Sequence, residues 1–208
     1  MITKVIGMII IAYLLGSIPS GLWIGQLFYH KDIRQLGSGN IGTTNTFREL
    51  GVTAGIIVLL MDVLKGTLAA SQPYLLGVSS SVNPLLIGLF ASLGHTCSIF
   101  DHFHGGKAVA TSAGILLTYN PGLFGIACCF FIGTLLLTSM ASCASIIGVS
   151  AIFIIALIEH DLILSIVAGI LTVVIIWRHK SNIKRIITGK ESMVSFGLGH
   201  YLRNRNSH

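Results

Sequence analysis

"VIGMIIIAYLLGSIPSGLWIGQLF", residues 5–28, runs without a single charged side chain. A helix needs about 20 mostly apolar residues to cross the hydrocarbon core of a bilayer, within a range of about 17 to 25. This run is long enough. It contains Gly-Ser-Ile-Pro rather than a small-residue cleavage site, so it reads as a retained helix and not as a removable signal peptide. Pro19 has no backbone donor and breaks the helical ladder, which places Gly16, Ser17 and Ser20 around a kink.

Further apolar runs follow at roughly 52–71, 84–100, 108–119, 121–138, 144–158 and 162–177. Those at 108–119 and 144–158 are short and span only if their polar flanks are helical too. Of 208 residues, 53% are hydrophobic and 10% charged, where a soluble domain carries about a quarter charged residues. A water-soluble enzyme is therefore disfavoured. The expected fold is an all-α integral membrane protein: a polytopic bundle of about seven transmembrane helices, forming one domain over residues 1–208.

Basic residues set the expected orientation. Of thirteen Lys and Arg, all but Lys4 and Lys65 lie at 31–48, at 107, or between 178 and 205. If basic loops are cytoplasmic, then 30–50, 101–107 and the C-terminal tail share that face. Two crossings separate the first pair of clusters and four the second, so parity agrees. The N-terminus is expected outside and the C-terminus in the cytoplasm. The four cysteines (Cys97, Cys128, Cys129, Cys143) form no Cys-x-x-Cys pair, and packing is their default role.

Three polar clusters then fall on one membrane face. The first, "LGSGNIGTTNTFRELG" at 36–51, holds glycines that allow close backbone approach and unusual dihedrals (Gly37, Gly39, Gly42). Around them stand Ser38, Asn40, Thr43, Thr44 and Asn45, with Arg48 as a planar fork suited to phosphate oxygens. Backbone N–H groups turned inward from such a loop make an anion nest. A flexible surface loop with a topology-setting Arg is the plainer reading, but the density of small polar groups favours a site.

The second cluster is "GHTCSIFDHFHGGKAVATSAG", 94–114. Gly105, Gly106 and Lys107 stand just before an apolar, helix-compatible run, where free N–H groups and the positive end of a helix dipole receive anions. The P-loop spacing is missing, so nucleotide binding is not indicated. His95, His102 and His104 share the stretch with only Asp101 and show no metal-ligand spacing. In the third cluster, "WRHKSNIKRIITGKE" at 177–191, a continuing helix puts His179, Asn182 and Arg185 on one face. Its other basic residues serve topology or anionic lipid heads. Asp62 and Lys65 form an acid–base pair inside an apolar segment, where a functional role and a bundle-clamping salt bridge are about equally good readings.

These clusters describe at least one anion site at the cytoplasmic mouth of a helix bundle, because irregular polar backbone at membrane depth must be buried in protein or line a wet cavity. A phosphorylated substrate fits Arg48 and Lys107. The physical reading leaves an enzyme and a phosphate-ester transporter both open, and resemblance separates them. "GSIPSG", "GSGNIGTTN…R", "GHTCSIFDHFHGGKAVAT" and "HKSNIKR…GKE", in this order and nearly end to end, resemble the acyl-phosphate:glycerol-3-phosphate acyltransferase family, the bacterial PlsY proteins. Thr43 stands where that family often has Ala, and Ala108 where it often has Gly.

The resemblance implies transfer of a fatty acyl group from acyl phosphate to the 1-hydroxyl of glycerol 3-phosphate, giving lysophosphatidic acid and phosphate in bacterial phospholipid synthesis. The other large glycerophosphate acyltransferase superfamily uses a His with an Asp five residues later as its base, and no His here has one. Acyl phosphate already carries a good leaving group, so positioning and charge stabilisation should suffice. Lys107 with Gly105 and Gly106 is expected to hold the acyl-phosphate head. Ser38, Thr44 and Arg48 line the phosphate region with Gly37, Asn40 and Thr43, and Asn45 orients a donor or hydroxyl. His179 and Asn182 bind glycerol 3-phosphate, with Lys184 and Arg185 beside them. The hydroxyl proton can pass to the departing phosphate; His179 as general base is the rival route. No cofactor, no metal and no nucleic acid are expected; the expected partners are the two phosphorylated substrates and membrane lipids. The expected location is the bacterial plasma membrane, with the active site on the cytoplasmic face. A transporter of a phosphate ester is the alternative, favoured by Asp62, Lys65 and the kinked first helix and opposed by the short chain and lack of an inverted repeat.

Overall fold

The structure, a computed structural model, describes residues 1–205. Among these it is all-helical, with no strand beyond an isolated bridge between Ser98 and His104. Its helices fall into two compact units that divide between Pro121 and Gly122.

The first unit opens with α1 (Ile2–Ser17) and α2 (Ser20–Tyr29), bent by 44° at the break between them. The Pro19 kink is real, and it has a structural consequence. A helix that stops leaves its last carbonyls without intrahelical donors. The Ser98 hydroxyl donates to the Ser17 carbonyl, and Lys65 Nζ donates to the Ile18 carbonyl at 3.0 Å. Two side chains from distant sequence thus close the end of α1.

A short helix, α3 (Thr43–Glu49), precedes the long α4 (Val52–Leu75). α4 is the axis of this unit and packs against α1, α2, α3, α5 (Pro84–Thr96) and α6 (Val109–Tyr119). It outruns the apolar stretch that announced it and contains Pro73. Pro73 cannot donate to the carbonyl four residues earlier, and Gln72 Nε2 donates to that Ala69 carbonyl instead, at 3.1 Å. The same amide nitrogen lies 3.1 Å from the Met8 carbonyl, tying α4 to α1. Met8, Ala12, Ala69, Ile87 and Ala91 fill the space between α1, α4 and α5. Small residues dominate here because helix backbones must approach closely where lipid supplies no hydrophobic drive for association. A Cβ added at Gly66 or at Gly114 would overlap backbone of the facing helix, so α4 and α6 meet at these two residues.

α5 ends at Thr96, short of the 84–100 apolar run. The cause is polar: Thr96 Oγ1 bonds back to the Ser92 and Leu93 carbonyls, and Ser98 Oγ accepts from Phe100 N to start a single 3-10 turn, Ile99–Asp101. Ser and Thr compete with the helix ladder in this way.

The second unit begins along α7 (Pro121–Thr138), which exposes most of its apolar surface. Buried Ser139, with φ 58°, turns the chain into α8 (Ala141–Ile158). The later tail rests on this joint: Val194 N donates to the Ser139 carbonyl at 2.8 Å and His200 N to its Oγ at 2.9 Å. A tight turn joins α8 to α9 (Leu162–Arg178), and Asp161 caps α9 by accepting from Leu164 N at 3.0 Å. So short a connection makes a helical hairpin, whose buried residues include Ile152, Ala156, Leu164, Val167, Leu171 and Ile175. α10 (Lys180–Ile187) follows at 59°, and α11 (Leu198–Arg205) ends the described chain.

Among the described residues three helices are long and apolar enough to cross a membrane (α4, α7 and α8), or up to five spans when each bent pair, α1–α2 and α9–α10, is added as one. At 13 and 11 residues, α5 and α6 are shorter than the about 20 that a straight crossing needs. The expected count of about seven is reached only if these two also cross.

Candidate functional site

Each unit gathers its own share of the polar residues singled out in the sequence. In the first, the 36–51 loop is built around Asn45. Its side chain is buried, accepts from Ser38 N at 3.0 Å, and donates to the Leu36 and Ile33 carbonyls at 3.0 and 3.3 Å. Asn45, expected to touch a substrate, spends its amide on its own loop. Gly37 sits above it with φ 54°, where a Cβ would overlap the side chains of Asn45 and Glu49, so only glycine fits. Asn40 Oδ1 accepts from Gly42 N at 2.9 Å and fixes the turn into α3.

The loop leaves other groups outward. Ser38 is exposed, as are Thr44 and Arg48, which lie one helical turn apart on α3 and share a face. Thr43 is half-buried, and its hydroxyl has no hydrogen-bond partner in the structure. A threonine hydroxyl and a guanidinium on one helix face are suited to oxygens of an anion.

Lys107 follows the irregular Gly105–Gly106 backbone and is half-buried. Gly106 N donates to the His95 carbonyl at 2.9 Å, which docks this turn on the end of α5. Ala108, the N-cap of α6, is fully buried with φ 59°. A side chain at that φ costs roughly 1–2 kcal/mol, which glycine would avoid.

Arg34 links the two clusters. Its guanidinium bonds Asp32 Oδ2 at 2.6 Å and the buried Asp101 Oδ1 at 2.7 Å, joining the approach to the first loop with the 3-10 turn of the second. Hydrogen bonding from Arg34 holds the Asp32 carboxyl below its ordinary value. Neither Arg34 nor Asp101 was singled out as a site residue. The available signal was Asp101 as the lone acid of the 94–114 stretch.

In the second unit the helix does not continue through the third cluster; it bends at His179. The buried imidazole bonds the Ile175 carbonyl through Nδ1 at 2.8 Å. A carbonyl only accepts, so Nδ1 carries a proton in this contact. Asn182 and Arg185 lie one turn apart on α10 and converge on Glu191. Asn182 Nδ2 donates to Oε1 at 2.6 Å, Ser142 Oγ to Oε1 at 2.9 Å, and Arg185 Nε to Oε2 at 2.8 Å. Burial pushes the Glu191 carboxyl up, but the hydrogen bonds from Asn182, Arg185 and Ser142 outweigh it and leave it below the ordinary range. Lys184 is exposed. Glu191 is the hub that the sequence reading passed over. Its signal was its solitude, since no other acid follows Asp161.

The chain matches the family model described as glycerol-3-phosphate acyltransferase over residues 6–189. It is 74% identical over 205 residues to a glycerol-3-phosphate acyltransferase of Limosilactobacillus reuteri, covering 99% of this chain and 98% of that one. A protein of the same description from Enterococcus faecalis is 54% identical, with 94% of each chain covered. Among solved structures it is similar to a crystal structure of PlsY, an integral membrane glycerol 3-phosphate acyltransferase, in its glycerol 3-phosphate form. That match has a TM-score of 0.86 and 34% identity over 91% of this chain and 95% of the other. The lysophosphatidic acid form of PlsY matches with a TM-score of 0.83 and 33% identity, over 91% and 94%. The polar clusters, the all-helical membrane fold and these likenesses agree: the chain belongs to the glycerol-3-phosphate acyltransferase family of integral membrane enzymes.

Proposed function

We propose that this acyltransferase takes its acyl group from an acyl phosphate and delivers it to the 1-hydroxyl of glycerol 3-phosphate. The hydroxyl oxygen attacks the acyl carbonyl carbon, the bond from that carbon to the phosphate oxygen breaks, and the hydroxyl proton leaves with the departing phosphate. Lysophosphatidic acid and inorganic phosphate result. The observation that carries this reading is the Gly105–Gly106–Lys107 turn, docked on α5 and followed directly by α6. Lys107 steadies the negative charge that develops on the leaving phosphate, which needs no base dyad; the Gly106 amide, expected to share that task, is instead spent on the His95 carbonyl and holds the turn in place.

Ser38, Thr44 and Arg48 line the phosphate region, with Gly37, Asn40 and Thr43 shaping it and Asn45 holding its loop. His179 and Asn182 bind glycerol 3-phosphate, with Lys184 and Arg185 adding positive charge. Glu191 orients Asn182 and Arg185 for that task. Residues 1–208 act as one acyltransferase domain in the plasma membrane of a bacterium. About seven crossings, counting α5 and α6, put the N-terminus outside and the tail and active site on the cytoplasmic side. The clustering of basic residues supports this orientation.

Purified protein in detergent or lipid, given glycerol 3-phosphate with acyl phosphate, acyl-CoA or acyl carrier protein as separate donors, tests the reading. Acyl phosphate alone should yield product, and Lys107→Ala should lower turnover by roughly 10²–10³-fold. Product from acyl-CoA alone would overturn the donor assignment.

A further inference from the structure

His95 lies at the centre of a buried polar cluster to which the proposed chemistry gives no role. It sits in the last turn of α5 and is 6% exposed. On one side its Nδ1 lies 3.8 Å from Asp62 Oδ1, an electrostatic contact longer than a hydrogen bond. On the other side its Nε2 faces Gly106 so closely that a Cβ on that glycine would overlap the ring. Its own carbonyl accepts from Gly106 N. The ring and the carbonyl of one residue therefore hold the same glycine.

The far side of the ring is anchored as firmly. Asp62 Oδ1 accepts from Lys65 Nζ at 2.8 Å and from Ser20 Oγ at 2.9 Å, and Lys65 also donates to the Ile18 carbonyl at the α1 break. Asp62 and Lys65 balance each other's charge within α4. Helices α2, α4 and α5 and the Gly-Gly-Lys turn thus meet through four side chains: Ser20, Asp62, Lys65 and His95. A simple clamp between helices would need only the ion pair. This cluster instead runs from the α1–α2 break to the backbone that carries Lys107.

We propose that His95 is a positioning residue for acyl transfer: backed by Asp62, its imidazole fixes the Gly105–Gly106 backbone and through it the place of Lys107. The proposal rests on the reading that Lys107 holds the phosphate leaving group. A displacement of about 1 Å in a positioned group can cost roughly 10²-fold in rate, so loss of the ring should register in kinetics without a large loss of fold.

The test measures kcat, the KM for each substrate and the thermal midpoint in detergent for His95→Gln, His95→Ala, Gly106→Ala and the double variant His95→Ala with Gly106→Ala, beside Lys107→Ala. The expected results are a shift of the same parameter in His95→Gln as in Lys107→Ala, by at least about tenfold, and a double variant more active than Gly106→Ala alone. That recovery follows because removing the ring makes room for the added methyl, and groups in contact are not additive. A double variant whose loss equals the product of the single losses would overturn the proposal, as would a His95→Gln enzyme that melts early yet keeps normal kinetic parameters per folded molecule. Intact kinetics in Lys107→Ala would overturn the role of Lys107 and the positioning proposal with it, whereas a damaged Lys107→Ala beside a kinetically normal His95→Gln would overturn the positioning proposal alone. Should the His95 variants not fold, Ser20→Ala carries the test: it loosens Asp62 from outside the turn. A several-fold shift of that parameter supports the relay, and unchanged kinetics overturns it.

Discussion

Asp62 and Glu191 are both carboxylates buried among polar partners, yet they are held in different ways. Asp62 sits inside a membrane-spanning helix, and its main counter-charge, Lys65, is one turn along the same helix. Glu191 lies beyond α10 in the tail and gathers Ser142 from α8 together with Asn182 and Arg185 from α10. The first pair is local and forms wherever α4 is helical. The second set exists only when three stretches of chain have come together. One buried charge is matched by a partner on its own helix, whereas the other is matched by side chains that the fold must bring together.

Asp62→Asn should break that contrast most sharply. Removing one partner of a buried pair leaves an uncompensated charge and costs about 3–5 kcal/mol. The expected result is a large drop in thermal midpoint in detergent, partly recovered by adding Lys65→Met. No recovery would mean that Asp62 matters for something other than Lys65. Glu191→Gln should cost less, about 1.5–3 kcal/mol, because hydrogen bonds to a charged group are lost while the amide keeps the shape. Since the folded carboxyl lies below its ordinary 4.5, its stabilisation is complete above that pH and is lost as pH falls through the folded value. Acid unfolding curves should therefore flatten in Glu191→Gln. An unaltered acid limb would contradict the hub. Asp32→Asn should have the smallest effect. Asn caps the 3-10 turn as well as Asp does, and the exposed pair with Arg34 contributes about 0.2–1 kcal/mol. Melting with and without added salt checks this, and the difference from the parent should shrink as salt rises.

The candidate site residues drew notice in the sequence because their types are unusual in their setting. Gly-Gly-Lys before an apolar run and Asn182 in a basic stretch each stood out against their neighbours. The kink at Pro19 was legible for the same reason, since a missing N–H is a local property. Asn45 stood out too, but its task did not follow from its type: whether an amide faces a ligand or its own loop depends on where the carbonyls of Ile33 and Leu36 fall. Glu191 escaped notice because a single acid in a basic tail has no local pattern.

By itself, the sequence determined that this chain is a helical membrane protein with glycine-rich polar loops, because apolar run length, missing charge and glycine-rich polarity are properties of short segments. The tertiary structure alone decided how those loops are held. Arg34 reaches Asp101 across 67 positions, Ser20 reaches Asp62 across 42, and Ser142 reaches Glu191 across 49. Contacts at such separation depend on how helices pack, and packing is set by side chains such as Gly66 and Gly114 whose meeting no local pattern announces.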